Sequence, residues 1–291
     1  MAATLILGFP NHADATYYTV GLSGGSWVAG LPLTNLRDER LAKVARSTDD
    51  ALASTKFVID MGVSRPILLF CIPRCNISRD GLIRIRGSES ADGITAAVYD
   101  TGWVDVWTRI YVFGSLPWGH PSFWDGKLAA EDAAYYDVAF IHVAATEQTA
   151  RYWSWEIDDT TNADTYVELS RLFMAPGWQP TINMQYGATF GVETDTTAEK
   201  SLGGVEYYDR QAPRRTAKFV VGNLDEDEAL ANAFEMQRTL GIDRQLYLVW
   251  DSDDTDNLHR RSILATMRSL TPLEFPYFDA ATAAFQLQEV L

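Results

Sequence analysis

The sequence predicts a mainly β protein, with an N-terminal β-sandwich over residues 1–177 followed by an α+β segment over 178–291. Three observations predict it. Residues 66–87 run from an apolar strand through the turn Asn76-Ile-Ser78 into a second strand, where Ile83 and Ile85 alternate with Arg84 and Arg86. Alternation of period two marks a sheet with one face buried and one in water. In Arg151-Tyr-Trp-Ser-Trp-Glu-Ile-Asp158 the residues Trp153, Trp155 and Ile157 alternate with Tyr152, Ser154 and Glu156, which sends two tryptophans into one core. From Thr4 to about Gly177 short β-rich runs are punctuated by glycine and proline, with hardly any stretch of helical period.

Taken in order, strands are expected at 56–61, 66–72, 81–86, 96–100, 109–113, 134–144, 152–158 and 167–174, with a short turn or helix at 34–43. Pro176-Gly-Trp-Gln-Pro180 marks the domain boundary, because two prolines and a glycine coincide there with a change of texture. Beyond it, strands at 183–190, 203–208 and 215–221 lead into one main helix, 225–240. Asp225 is placed to cap it with Glu228 three residues on, acids fill the first turn, and Leu230, Ala233, Phe234 and Leu240 form an apolar stripe that ends before Gly241. Strands at 245–251, 261–269 and 283–289 complete the segment. The sequence leaves open whether its first strand, 4–9, pairs within the sandwich or crosses to the C-terminal sheet.

Composition narrows the function. A chain of 291 residues, 47% hydrophobic, can bury a sizeable core. Its 39 acidic residues against 24 basic give a formal charge of −15, which sets it against a nucleic-acid backbone as partner. No apolar run is long enough to span a bilayer, and Met1-Ala-Ala-Thr-Leu-Ile-Leu-Gly8 lacks a basic leader and a cleavage motif, so neither membrane insertion nor secretion is expected. Cys71 and Cys75 stand in a C-x3-C spacing whose redox state the sequence does not fix. A zinc site needs two more ligands, yet His12, His120, His142 and His259 are scattered singly, so no metal is expected.

Catalytic signatures are missing too. The chain contains no G-x-S-x-G, H-E-x-x-H, phosphate-loop or dinucleotide fingerprint, and Gly21-Leu-Ser-Gly-Gly-Ser26 lacks the lysine that phosphate binding requires. Neither catalytic nor cofactor-binding residues are assigned. Asp251-Ser-Asp-Asp-Thr-Asp256 begins like a calcium loop, but Asp256 stands where the sharp turn needs glycine and Ser262 where a bidentate glutamate belongs. It reads as a solvated acidic turn, as does the stretch 158–164.

One region stands out. Between Trp103 and Asp125 the aromatics Trp107, Tyr111, Phe113, Trp118, Phe123 and Trp124 gather beside Asp105, His120 and Asp125. Aromatic faces flanked by carboxylates suit sugar rings, whose apolar face stacks while the hydroxyls are hydrogen-bonded. Such rings equally cap a core or anchor an interface. Trp118, His120, Phe123 and Trp124 are the candidate contact residues, with a protein neighbour expected ahead of a glycan because no ordered set of polar ligands accompanies the rings.

Two resemblances follow from particular motifs. Ala45-Arg-Ser-Thr48, Phe57-Val-Ile-Asp-Met-Gly62, Arg74-Cys-Asn-Ile-Ser78, Ile83-Arg-Ile-Arg-Gly87, Tyr99-Asp-Thr-Gly-Trp103 and Arg151-Tyr-Trp153 together resemble a discoidin-type (F5/8 type C) jelly-roll sandwich. Domains of that type commonly bind carbohydrates, lipids or proteins through loops at one end, and none of their ligand motifs is matched here. Tyr166-Val-Glu-Leu-Ser-Arg-Leu-Phe-Met-Ala-Pro-Gly-Trp178, the turn Ser201-Leu-Gly-Gly204, Glu235-Met-Gln-Arg238, Asp253-Asp-Thr255 and His259-Arg-Arg261 resemble distal tail or baseplate proteins of long-tailed bacteriophages. That resemblance implies a tail-tube-like C-terminal domain and a non-enzymatic structural protein of the virion tail tip, made in the host cytoplasm. It further implies a ring of copies joining the tail tube to other baseplate proteins, with no cofactor. The alternative is a carbohydrate-binding module that recognises a host-surface glycan.

Overall fold

A computed structural model describes residues 5–14, 21–128 and 138–291. The chain is mainly β and folds as two compact units. One holds Gly8–Gly177 with Val249–Ser262; the other holds Trp178–Leu248 and Ile263–Leu291 with the N-terminal residues up to Leu7.

The first unit is built on one long antiparallel ribbon. The predicted strands 56–61 and 66–72 are a single strand, Phe57–Cys75, and its partner Val138–Asp158 absorbs the strand expected at 152–158. Residues 134–137 of the predicted strand 134–144 lie outside the described residues. Register breaks between Asp60 and Arg65, between Ile67 and Leu69 and between Ile72 and Cys75 interrupt the pairing. Gly62, at φ 76°, sits in the first of them. Breaks of this kind bend and twist a ribbon. Its two ends acquire different neighbours: Gly21–Ser23 and Leu82–Ser88 flank one, and Phe173–Ala175 the other. The ends then face each other, with Phe70 and Trp153 ring centroids 5.0 Å apart and Phe140 and Trp155 5.9 Å apart. That contact closes the sandwich.

The predicted register is observed. Trp153, Trp155, Ile157, Ile83 and Ile85 are fully buried. On the opposite face Arg84 pairs with Asp100 and Arg86 with Glu156. Gly87 allows the close approach of Trp153, since a Cβ there would lie 2.7 Å from the indole Cζ3. Other expectations need correction. The strand predicted at 96–100 is only Tyr99–Asp100, that at 167–174 divides into Glu168–Leu169 and Phe173–Ala175, and 109–113 is not a strand at all. Cys71 and Cys75 are not joined in a disulfide, as their placement requires. Four residues along an extended strand span about 13 Å, while a disulfide bridges Cα atoms less than about 7 Å apart. Burial pushes the Cys75 thiol up to about 12.

A buried ion pair sits in this unit. Arg171 Nη2 meets Asp14 Oδ2 at 3.0 Å with the two side chains 2% and 3% exposed, and the guanidinium lies 5.8 Å from the Phe173 ring centroid. Nearby, His12 donates its backbone N–H to Met174 O at 2.7 Å. Burial, with the charge of Arg65 adding to it, lowers the His12 pKa to about 4, so the imidazole is neutral at pH 7.

The second unit carries an eight-stranded sheet in the order Gly177–Trp178, Ile6–Gly8, Gln245–Val249, Ser262–Met267, Ala280–Glu289, Arg214–Leu224, Thr189–Glu193, with Glu274–Tyr277 paired to Ala280–Glu289. The first strand therefore crosses to the C-terminal sheet. The helical run differs from its expected form. Glu226–Glu228 and Glu235–Leu240 flank a π-helical segment, Ala229–Phe234, and the buried face is Ala229, Ala233, Met236 and Leu240. Leu230 and Phe234, expected in the stripe, are 40% and 47% exposed, because the wider π turn shifts the face the sequence indicates. Asp225 caps the run by accepting from Asp227 N–H, but Glu228 does not complete a capping box: its Oε1 accepts from the Trp178 indole and from Thr181 N–H.

The predicted strand 203–208 is one arm of a separate hairpin, Thr197–Lys200 with Glu206–Asp209, paired only with itself. All eight strand residues are exposed.

Candidate functional site

The aromatic region is a loop closed at its foot. Ile110 N–H and Tyr111 N–H both donate to Gly126 O, at 2.9 and 3.1 Å, so residues 110–126 leave and return at one point, in the manner of an Ω-loop. Nested turns fill it: Ser115 N–H donates to Val112 O, His120 to Pro117 O, Phe123 to His120 O and Gly126 to Ser122 O. Gly126 is required at the foot. Its φ is +65° and a Cβ would stand 2.7 Å from Tyr111 O.

The loop brings three of the four candidate residues together. Trp118, Phe123 and Trp124 meet edge to face, with centroids 5.3 Å (118–123), 5.7 Å (118–124) and 5.1 Å (123–124) apart. Trp118 is 80% and Trp124 69% exposed, so the cluster presents ring surface to solvent. His120 stands apart from the three and packs edge-on against Tyr111 at 6.0 Å. Its Nδ1 accepts from Ser122 N–H at 3.1 Å, which places the proton of the neutral ring on Nε2 as a donor.

Polar groups that the sequence did not show in any order pair near the foot of the loop. Asp125, next to Trp124, takes Arg79 Nη2 on Oδ2 at 2.5 Å and Lys127 N–H on Oδ1 at 3.2 Å. The Lys127 ammonium is buried and donates to Asp105 Oδ1 at 2.9 Å and to Arg79 O at 3.0 Å. Asp105, which the sequence places in the region, thus helps to hold its base. Arg79 is the residue sequence reasoning missed, because it lies 46 positions from its partner on the turn between two strands. Arg109, at the foot, is exposed, and its Cγ lies 3.7 Å from where a Gly126 Cβ would be.

Other candidates have structural employment. Asp254 of the acidic turn pairs with Arg261 at 2.9 Å and accepts from Asn257. Asp159, from the stretch 158–164, is buried and accepts from Ser78 and Asn162. His142 accepts or donates at 2.7 Å with Tyr99 O–H beside the core ring Phe70, and burial lowers its pKa.

No protein-family model matches this chain, and no curated protein matches it. Among solved structures it is similar to the family 32 carbohydrate-binding module of Clostridium perfringens NanJ in complex with galactose, at 9% identity and TM-score 0.36, over 54% of this chain and 93% of that one. A Streptococcus pneumoniae fucose-binding module gives 11% identity and TM-score 0.36 over 58% and 98%. The lectin domain of lectinolysin complexed with Lewis B antigen gives 14% identity and TM-score 0.36 over 57% and 96%. Values this low leave the ligand to be argued from this chain's own residues.

Proposed function

We propose that this protein is a non-catalytic carbohydrate-binding protein whose sandwich unit takes a sugar on the loop 110–126. One observation carries the reading: the exposed rings of Trp118 and Trp124 stand on a closed loop whose Asp125, near its foot, is paired with Arg79. Sugar recognition needs an apolar platform for the ring face and a fixed donor and acceptor for the hydroxyls, and this loop supplies both. A protein neighbour is expected from the sequence ahead of a glycan; the Arg79–Asp125 pair at the foot of the loop supports the glycan. The test is a glycan array with the full chain, followed by calorimetry of the hits with Trp118→Ala and Trp124→Ala. Each substitution should weaken binding at least about tenfold. An array without hits, or hits indifferent to both substitutions, would sink the reading.

A second reading is favoured by a different observation. The hairpin Thr197–Asp209 shows Leu202, Val205, Tyr207 and Tyr208 to solvent at 111, 56, 64 and 56% exposure, surface suited to a neighbouring subunit. It supports the distal tail or baseplate role that the sequence resemblance implies: a ring of copies in the virion tail tip, joined to tail-tube and baseplate proteins. The two readings are compatible in a particle that grips a host-surface glycan. Negative-stain images of the full chain should show rings, lost when Leu202, Tyr207 and Tyr208 become serine. A chain that stays monomeric at high concentration removes this reading and leaves the first intact.

A further inference from the structure

We infer that the ligand of the loop 110–126 is an acidic sugar, a uronate or a sialate, held through its carboxylate by Arg109 and His120. The inference rests on the carbohydrate reading and adds the charge of the ligand. Two of the three cations around the loop are already neutralised, Arg79 by Asp125 and Lys127 by Asp105. Arg109 is exposed and makes no ion pair among the described residues. Its aliphatic stem lies beside Gly126, two residues from Trp124, which keeps the guanidinium at the loop foot. Two residues further on, Tyr111 contacts the His120 ring, whose Nδ1 is occupied by Ser122 N–H and whose Nε2–H remains a donor. A carboxylate accepts from a guanidinium and an imidazole N–H together, and such charge-assisted bonds are about twice as strong as those to a hydroxyl.

The charge of the whole molecule sharpens the argument. On a chain of formal charge −15, an acidic glycan is repelled by most of the surface. Of Arg79, Lys127 and Arg109, only Arg109 has no carboxylate partner among the described residues. An acidic ligand repelled elsewhere can meet that guanidinium at the foot of the loop that exposes the aromatic rings.

The experiment is an array of carboxylated glycans, uronate- and sialate-terminated, each beside its neutral methyl ester, followed by titration of the best pair with the full chain. The acid should bind about tenfold more tightly than its ester. That margin should shrink as salt is raised, because the exposed guanidinium is screened. Arg109→Gln, at an exposed position that leaves the rings untouched, should shrink the margin of acid over ester from about tenfold to about twofold or less. Equal binding of acid and ester, or a preference for acid that survives Arg109→Gln, overturns the acidic assignment alone. Binding to none of these while a neutral glycan binds also overturns the acidic assignment alone; binding to no glycan, acidic or neutral, overturns it together with the carbohydrate reading.

Discussion

The ribbon of the sandwich and the hairpin of the other unit are both antiparallel strand pairs rich in aromatic residues, yet they treat those residues in opposite ways. In Val138–Asp158 the tryptophans stand two residues apart, and Trp153 and Trp155 lie fully buried against Phe70 and Phe140. In Glu206–Asp209 the tyrosines are adjacent, Tyr207 and Tyr208, so one must leave whichever face is chosen, and here both are exposed. Strand propensity tells where pairing occurs. Periodicity tells whether a face is buried.

The difference can be broken by substitution. Trp155→Ala should cost about 3–5 kcal/mol, the usual loss for a fully buried tryptophan, read by denaturant unfolding. An unchanged midpoint would refute the register of the ribbon. Acid should weaken the same unit through His12, whose folded pKa of about 4 lies below the unfolded value of 6.5. Above the unfolded value both states are neutral and the native state is favoured in full; as pH falls through the window from 6.5 to about 4, the unfolded chain takes up a proton that the folded chain refuses. Stability is lost across that window, by at most about 3 kcal/mol, and His12→Gln should remove this part of the pH dependence. Gly87→Ala should cost about 1–3 kcal/mol, because its methyl group meets the Trp153 ring and the ring has no room to retreat. At the small end, Tyr208→Ser in the hairpin should change stability by less than about 0.5 kcal/mol. A loss comparable to that of Trp155→Ala would mean the hairpin belongs to a core, and the contrast would fall.

What was legible in the sequence follows the same division. The faces of Leu82–Ser88 and Val138–Asp158 could be read because period two, with tryptophan or isoleucine inward and arginine or glutamate outward, admits one register. The loop around Arg109 was misread as a strand because Ile110, Tyr111, Val112 and Phe113 carry β propensity. The turns nearby are set instead by Gly114, Gly119 and Gly126, all at positive φ, and by Pro117 and Pro121. Those glycines and prolines were the available signal. Trp118, Phe123 and Trp124 could be picked out, being close in sequence, whereas Arg79 reaches Asp125 only through the fold. The helix face was missed by about one residue because a π segment changes the period midway, which no 3.6-residue template detects. The partner of Ile6–Gly8 could not be read, since pairing across so long a separation leaves no local mark.

That first strand sets a schedule for synthesis. Its neighbours in the sheet are Gly177–Trp178 and Gln245–Val249. A ribosome adding about 5–20 residues per second delivers the first of these roughly 8–35 s after Gly8, and the second a few seconds to about 15 s later. Throughout that interval the short apolar run Leu5-Ile-Leu7 waits without a ladder partner. The residues of the sandwich unit emerge in the meantime and contain most of what they need to close. Ile6–Gly8 is therefore seated long after it is made, and the sheet that holds it is completed only when Ala280–Glu289 has been delivered.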